Sequence, residues 1–123
     1  MPKLPQRLAL ETVELEAQDS HALCMRGVMA MREPSTEVGP WLRRLHEGVA
    51  AAGVSDFTVD VTALSFMNSS SIRVFIDWVE WIRKDGAGYV LTFRIDPGIT
   101  WQKSTFGALR TLDSQRVRVV AQA

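Results

Sequence analysis

The chain has 123 residues, 46% of them hydrophobic, which suits one globular domain and excludes a disordered chain. Its 14 basic and 14 acidic side chains balance, so no net charge attracts nucleic acid or an anionic membrane. The apolar runs are shorter than the roughly 20 residues of a membrane span, the N-terminus lacks a signal-peptide core, and the lone cysteine excludes an internal disulfide. We therefore expect a soluble, cytoplasmic protein.

The N-terminal part of the chain predicts two paired strands. Residues 1–7 are interpreted as a flexible, proline-marked tail, and residues 8–123 as a single domain. Glu11 to Ala17 alternates between apolar and polar residues, which predicts a half-buried strand. Ala22 to Met31 predicts a second, more apolar strand, paired with the first across Gln18 to His21.

A helix is predicted next, ending at about Ala52. Ser35 or Thr36 can cap its N-terminus, and Gly53 ends it. Pro40 is tolerable because it lies in the first turn. His46 lies at the border of the apolar face, which is typical of a hydrogen-bonded or solvated histidine rather than a metal ligand.

The remainder alternates between strands and helices. The predicted elements are a strand at Phe57–Val61, a helix from Ser69–Ser71 to about Asp85, a strand at Tyr89–Ile95, a helix at Thr100–Leu112 and a strand at Val117–Ala121. The resulting order is β-β-α-β-α-β-α-β, with short connections. It indicates an α/β fold with a mixed, mainly parallel central sheet of four or five strands and three helices.

The second predicted helix carries two apolar stripes, where a helix that covers a sheet needs only one. The stripe expected to pack on the sheet comprises Ile72, Phe75, Ile76, Val79 and Ile82. Val74, Trp78 and Trp81 form the other stripe, which is predicted to face away from the core. Either another element of the domain covers this stripe, or a partner protein does, since tryptophan is enriched among interface anchors. On the second interpretation at least one of the tryptophans is exposed.

A polar turn, Asn68-Ser69-Ser70-Ser71, precedes this helix. Unpaired N–H groups and the positive end of the helix dipole favour an anion there. Ser69 can therefore cap the helix or carry a phosphate. The sequence offers no catalytic set, metal site or cofactor site, because its histidines are isolated and it has no glycine-rich phosphate loop.

The element order, the length and this turn resemble the STAS domain, the fold of the bacterial anti-sigma factor antagonists. In that family a motif of the form Asp-Ser-Ser-Gly follows the third strand. Its first serine is phosphorylated by a kinase that doubles as the anti-sigma factor, and a PP2C-type phosphatase removes the phosphate. Ser69 falls at the phosphorylated position, whereas Asn68 stands in place of the aspartate and Ser71 in place of the glycine.

The run from Asn68 to Arg73 is similar to a divergent STAS-like branch of biofilm-regulating phosphoproteins. In that branch phosphorylation controls the choice of partner, in one case a diguanylate cyclase. The resemblance implies a non-enzymatic, partner-switching regulator without cofactor or metal, controlled at Ser69 by a serine kinase and a PP2C-type phosphatase, and acting on a signalling enzyme such as a diguanylate cyclase. It implies a monomer or weak homodimer. The expected partner surface comprises Asn68, Ser70, Ser71, Arg73, Val74, Trp78 and Trp81.

Two alternatives remain open at this point. A serine-rich helix N-terminus can hold the phosphate of a nucleotide or other small ligand without covalent bonding. The chain can also be a structural STAS-like subunit of a larger signalling assembly, with the second stripe as its permanent interface. Titration with nucleotides separates the first alternative from a phosphorylation switch.

Overall fold

The computed structural model describes residues 6–18 and 21–121, except for the side chain of Ser35. A six-stranded mixed sheet forms its centre, with the strands in chain order from one edge to the other. The first three strands pair antiparallel and the last four pair parallel, which confirms the predicted mixed α/β architecture. The strands are β1 (Arg7–Ala9), β2 (Val13–Ala17), β3 (Ala22–Met29), β4 (Asp56–Met67), β5 (Val90–Ile95) and β6 (Val117–Ala121).

The sheet has one strand more than the four or five predicted. The additional strand, β1, begins at Arg7, inside the segment interpreted as a tail, and its Leu8 is paired with Leu15 of β2. A strand of three residues is too short to show an alternating pattern, so the sequence could not reveal it. Residues 1–5 of the predicted tail, and the connection at Asp19 and Ser20, lie outside the described residues.

The first predicted helix is divided into two in the structure, α1 (Pro34–Glu37) and α2 (Gly39–Ala52). A proline ring clashes with the carbonyl group four residues earlier, so Pro40 cannot lie inside a helix that continues from Pro34. It lies instead in the first turn of α2, which ends at the left-handed Gly53 as predicted. The prediction that Thr36 caps this helix is wrong, because the N-cap of α1 is Glu33. The side chain of Ser35 is outside the described part.

All three long helices lie on one face of the sheet. Besides α2, these are α3 (Ile72–Asp85) and α4 (Thr100–Leu112). The parallel strands follow each other in order, so three successive right-handed crossovers place their helices on the same side. The strands alternate accordingly: Phe57 and Val59 of β4 are fully buried, whereas Thr58 and Asp60 are half-buried on the opposite face.

The face that α3 buries differs from the predicted one. Val74 and Trp78 are both completely buried, so the prediction that they face away from the core is wrong. Ile72 and Ile76, predicted to pack on the sheet, are only half-buried. The Trp78 ring packs against Phe57 of the central strand at a centroid distance of 6.0 Å, which makes this stripe part of the core.

A hydrogen-bonded polar network lies beneath the C-terminal half of α3. Trp78 Nε1 donates to Tyr89 Oη at 2.8 Å, and Tyr89 Oη lies 2.6 Å from His46 Nδ1. His46 Nε2 lies 2.8 Å from Asp85 Oδ2, which also pairs with Arg43. Indole can only donate, so every group is satisfied when the Tyr89 hydroxyl donates to Nδ1 and His46 donates from Nε2 to Asp85. His46 is thus hydrogen-bonded, as the sequence predicted, and its bonds link α2 to α3.

Candidate functional site: the Asn68–Ser71 turn

The turn lies between the end of β4 at Met67 and the start of α3 at Ile72. It is therefore at the edge of the sheet where the parallel strands end, which is the usual position of binding sites in α/β folds. The Asn68 N–H donates to the carbonyl oxygen of Met29 at the end of β3, at 3.0 Å. Helix α3 begins at Ile72, one residue after the start predicted at Ser69–Ser71.

Asn68 and Ser71 together hold this turn against β3. Asn68 Oδ1 accepts the Ser71 N–H at 2.9 Å, which closes the turn before α3, and lies 2.5 Å from Ser71 Oγ. The Asn68 amide group donates to the carbonyl oxygen of Met31 at 3.2 Å. Ser71 Oγ is buried, accepts the Met31 N–H at 3.3 Å and lies 3.1 Å from the Met29 carbonyl oxygen. The N-cap residue of α3 is therefore Ser71, which makes no side-chain cap bond; its hydroxyl links the helix to the end of β3 instead.

Ser69 and Ser70 differ from Ser71 in their surroundings. Both are exposed to solvent, and neither hydroxyl bonds to another residue within 6–18 and 21–121. Ser69 does not cap the helix, because the N-cap position of α3 is Ser71 and no side chain forms a cap bond there. Of the two roles open to Ser69 in the sequence, capping is thus excluded by the geometry, and its hydroxyl is accessible to a modifying enzyme.

The two residues that differ from the STAS motif, Asn68 and Ser71, are hydrogen-bonded to each other. Asn68 and Ser71 stand at the positions where the motif that this turn resembles has aspartate and glycine, and these two side chains are 2.5 Å apart. Only an amide can both accept from Ser71 and donate to the Met31 carbonyl oxygen, because an ionised carboxylate has no proton to donate. The two side chains thus act together to hold the junction between β3 and α3.

The residues predicted to form a partner surface separate into exposed and buried groups. Arg73 is exposed and pairs with Asp77 at 3.4 Å, one turn along α3. Trp81 is half-buried, packed against the core, with the Arg43 guanidinium 5.4 Å from its ring centre. Val74, Trp78 and Ser71 are buried and do not form part of the surface in this structure.

Sequence reasoning missed an exposed aromatic residue beside the turn. Phe66 is 50% exposed although it lies in β4, two residues before Asn68. The half-buried Trp101 of α4 donates from Nε1 to the Ser65 carbonyl oxygen at 3.2 Å, which brings a second aromatic side chain to this edge. No periodic pattern distinguishes Phe66 from the buried members of the strand, so only the structure reveals its exposure.

Other kinds of site were sought in residues 6–18 and 21–121. No group of three or more His, Cys, Asp or Glu side chains in these ranges is arranged to hold a metal ion. None of the helices there has the length and apolar character needed to cross a bilayer.

Comparison with known proteins gives a structural relative. No protein-family model and no curated protein sequence matches the chain. In the crystal structure of the diguanylate cyclase SiaD in complex with its activator SiaC, from Pseudomonas aeruginosa, SiaC superposes on it with a TM-score of 0.69. The alignment covers 96% of this chain and 100% of that chain, at 17% sequence identity.

The chain has a STAS-like fold. The fold expected from the family resemblance is thus confirmed, with the sixth strand as the difference in detail. In the STAS-like fold of this chain, the turn from Asn68 to Ser71 joins the second parallel strand to the helix that follows it.

Proposed function

We propose that this protein is a non-enzymatic, cytoplasmic regulator whose binding to partner proteins is switched by reversible phosphorylation of Ser69. The observation that carries the proposal is the contrast within the serine turn. Ser69 is exposed with an unbonded hydroxyl among the described residues, whereas Ser71 is buried and bonded to β3. A kinase needs an accessible hydroxyl, and phosphorylation of Ser71 would break the junction that holds α3.

Phosphorylation at Ser69 is compatible with the folded domain. The phosphate adds about −1.5 to −2 charges at neutral pH. It lies just before a helix N-terminus, where the dipole stabilises an anion by roughly 0.3–1 kcal/mol. Because Ser69 is exposed, water solvates the rest of the charge. The domain therefore keeps its structure in both states.

A bound partner responds differently to the same charge. An interface over Ser69 would bury the phosphate, which costs several kcal/mol without a cationic group to receive it. Each 1.4 kcal/mol changes an affinity about tenfold. Phosphorylation thus weakens binding by a partner that covers the turn and has no cation there. A partner with arginines at this position would show the reverse preference.

The proposed partners follow from the resemblance. A serine kinase phosphorylates Ser69, a PP2C-type phosphatase removes the phosphate, and a signalling enzyme such as a diguanylate cyclase receives the output. The likeness to SiaC, an activator of a diguanylate cyclase, supports the last of these partners. We propose that the protein acts as a monomer or weak homodimer.

The experiment is to purify the protein from its native cells and locate phosphate by mass spectrometry of proteolytic peptides. We expect one phosphate on Ser69 and none in the Ser69→Ala variant. Ser70→Ala is the matched control, because Ser70 is the exposed neighbour, and this variant should retain the phosphate. Phosphate confined to Ser70 or to any other residue would contradict the assignment.

A second measurement tests the output. Purified diguanylate cyclases from the same organism are assayed with the unphosphorylated protein, with Ser69→Glu and with Ser69→Ala. We expect the unphosphorylated wild-type protein and Ser69→Ala to change the catalytic rate of one cyclase. Ser69→Glu should not produce this change. Equal responses to all three forms would show that charge at Ser69 does not control this partner.

A further inference from the structure

Strand β6 forms one edge of the sheet, with no strand beyond it among residues 6–18 and 21–121. The Leu91 N–H donates to the Arg116 carbonyl oxygen at 2.8 Å, so Arg116 directs its backbone groups toward β5. Successive residues of a strand direct their N–H and C=O groups to opposite sides, and Arg118 therefore also faces β5. Val119 and Ala121 direct theirs outward, where they are available to another strand.

The side chains near this edge carry mainly positive charge. From residue 100 to residue 121 the only acidic residue is Asp113, which pairs with Arg116 at 3.2 Å. Three other basic residues in this range are exposed and form no ion pair within the described part of the chain: Lys103, Arg110 and Arg118. The region thus has an excess of positive charge in a protein whose formal net charge is zero.

The three unpaired cations flank the edge from both faces of the sheet. Helix α4 packs on β5 and β6, and Thr105 lines the gap between α4 and α3. At about 100° per residue, Lys103 and Arg110 lie on the opposite flank of α4, which is the flank on the outer side of β6. Arg118 lies on the other face of the sheet, because its neighbour Val117 is buried under the helical layer and side chains alternate along a strand.

The two edges of the sheet differ in length and in charge. Strand β1 has three residues, and its Arg7 is paired with Glu14 of β2, so this edge is short and its charge is compensated. Strand β6 has five residues and uncompensated cations on either side. Like charges on an edge strand oppose its pairing with the same edge of a second copy. The same cations attract a chain of the opposite charge.

We propose that the β6 edge binds an extended acidic segment of a partner protein, which adds to the sheet as a seventh strand. In recognition of this kind the backbone hydrogen bonds supply affinity and the side chains supply specificity. Acidic side chains on one face of the segment lie near Lys103 and Arg110, which are about 10 Å apart along α4, and those on the other face lie near Arg118. The edge is two strands away from β4 and the serine turn, so this interaction is separate from phosphorylation of Ser69.

The probe is a synthetic eight-residue peptide of glutamate, threonine and valine, and the control has lysines in place of the glutamates. Each is titrated into the ¹⁵N-labelled full-length protein, and amide hydrogen exchange is followed by NMR. We expect the glutamate peptide to bind about tenfold tighter than the lysine peptide. It should slow exchange at Val119 and Ala121, whose N–H groups point outward, about tenfold, and leave Arg118, already bonded to β5, within about twofold. Absence of binding, or binding without protection of Val119, would overturn the proposal.

Two N-methylated forms of the glutamate peptide test the strand geometry directly. One is methylated at the odd-numbered amides and the other at the even-numbered amides. An added strand turns only alternate amides toward its neighbour, so one form should lose binding about tenfold and the other should retain it within about twofold. Equal binding of the two forms would overturn the proposal.

Matched variants of the protein test the charge and the backbone separately. Arg110→Glu and Arg118→Glu reverse a cation on either face of the edge, and Arg44→Glu reverses an exposed arginine on α2 as the control. Val119→Pro removes an outward N–H, which edge strands tolerate, and Val119→Ala is its control. We expect each edge variant to weaken the glutamate peptide about tenfold and each control to leave it within about twofold. Equal effects of edge and control variants would overturn the proposal. If Val119→Pro does not fold, the methylated peptides decide the role of the backbone on the wild-type protein.

Three further outcomes exclude other occupants and other sites. A single-stranded oligonucleotide that binds more tightly than the glutamate peptide would overturn the proposal in favour of a nucleic acid. A concentration-dependent dimer in sedimentation that Val119→Pro abolishes would overturn it in favour of a second copy of this chain. Ser69→Ala and Ser69→Glu should bind the peptide within about twofold of each other, and a tenfold difference would overturn the proposal by placing the peptide at the serine turn.

Discussion

Three adjacent serines have different roles because the strand next to them contacts only one. The Met29 carbonyl oxygen at the end of β3 and the Met31 N–H just after this strand both contact Ser71 Oγ. Ser69 and Ser70 lie on the outer side of the turn and receive no such partner among the described residues. A buried polar group that lacks a hydrogen bond destabilises the fold, so the Ser71 hydroxyl is needed for structure. The exposed Ser69 hydroxyl has no such role and can be modified.

The Asn68–Ser71 pair can be tested by a double-mutant cycle. We expect Ser71→Ala to lower the free energy of unfolding by about 1–3 kcal/mol, because it removes the buried hydroxyl that accepts a hydrogen bond from the Met31 N–H. Asn68→Ala should cost a similar amount. The double variant should cost less than the sum by roughly 0.5–3 kcal/mol, because both changes remove the same interaction. Urea unfolding of the four proteins measures these values.

Ser70→Ala is the matched control for that cycle. Ser70 is exposed, so its substitution should change the free energy of unfolding by no more than about 0.5 kcal/mol. Strictly additive losses at Asn68 and Ser71 would show that the two side chains act independently, contrary to the 2.5 Å contact between them.

At the scale of the element, α3 is held mainly through Trp78 rather than Trp81. Trp78 is fully buried against Phe57 and donates to Tyr89 Oη, whereas Trp81 is half-buried beneath the Arg43 guanidinium. We expect Trp78→Ala to cost about 3–5 kcal/mol of stability, and Trp81→Ala about 1–2 kcal/mol. Thermal and urea unfolding provide the comparison.

Trp78→Phe keeps most of the ring volume and removes only the indole donor. This variant should remain folded and lose less stability than Trp78→Ala, by the difference between a lost hydrogen bond and a large cavity. If Trp81→Ala proves as damaging as Trp78→Ala, the orientation assigned to α3 is wrong.

The stability that the C-terminal end of α3 contributes to the fold should depend on pH in the acid range. The pKa of Asp85 lies below its ordinary value of 3.8, chiefly because His46 donates a hydrogen bond to it, with attraction from Arg43 in addition. A carboxyl group with a lowered folded-state pKa stabilises the fold above its unfolded pKa, and this contribution is lost as the pH falls through the folded value. Between about pH 5 and about pH 2 we expect wild-type stability to fall more steeply than that of Asp85→Asn. Parallel unfolding curves across this range would contradict the assignment.

At the scale of the whole molecule, the helices of residues 6–18 and 21–121 cover only one face of the sheet. Parallel sheets in α/β proteins usually bury both faces and have continuous apolar strands. Here β4 alternates instead, and the antiparallel strands carry exposed ion pairs of Glu14 and Glu16 with Arg26. This face is polar throughout much of its area, so it stays in water without a second helical layer.

This architecture predicts an order of local stability. Strand β4 has a neighbour on each side and a buried face, whereas β1 and β6 are edge strands with one neighbour each. We expect amide hydrogen exchange to be slowest in β3, β4 and β5 and fastest in β1 and β6. Protection of β6 equal to that of β4 would indicate that another chain covers this edge in solution.

The sequence by itself determined most of the elements. The helix at Thr100–Leu112 and the strand at Val117–Ala121 have the predicted bounds, and the alternation of strands and helices identified the α/β class. It also located the serine turn at a strand-to-helix junction. These features depend on periodicity and on turn residues, which are properties of consecutive residues.

Only the tertiary structure decided which face of α3 is buried and which serine is free. The helix has two apolar stripes, and the choice between them depends on Phe57, Tyr89 and α2, which all lie outside the helix in sequence. The burial of Ser71 depends on Met29 and Met31, which precede it by about 40 residues. Local sequence patterns contain no information on such contacts, because the packing partners of a helix depend on the tertiary arrangement of the sheet and not on the sequence of the helix itself.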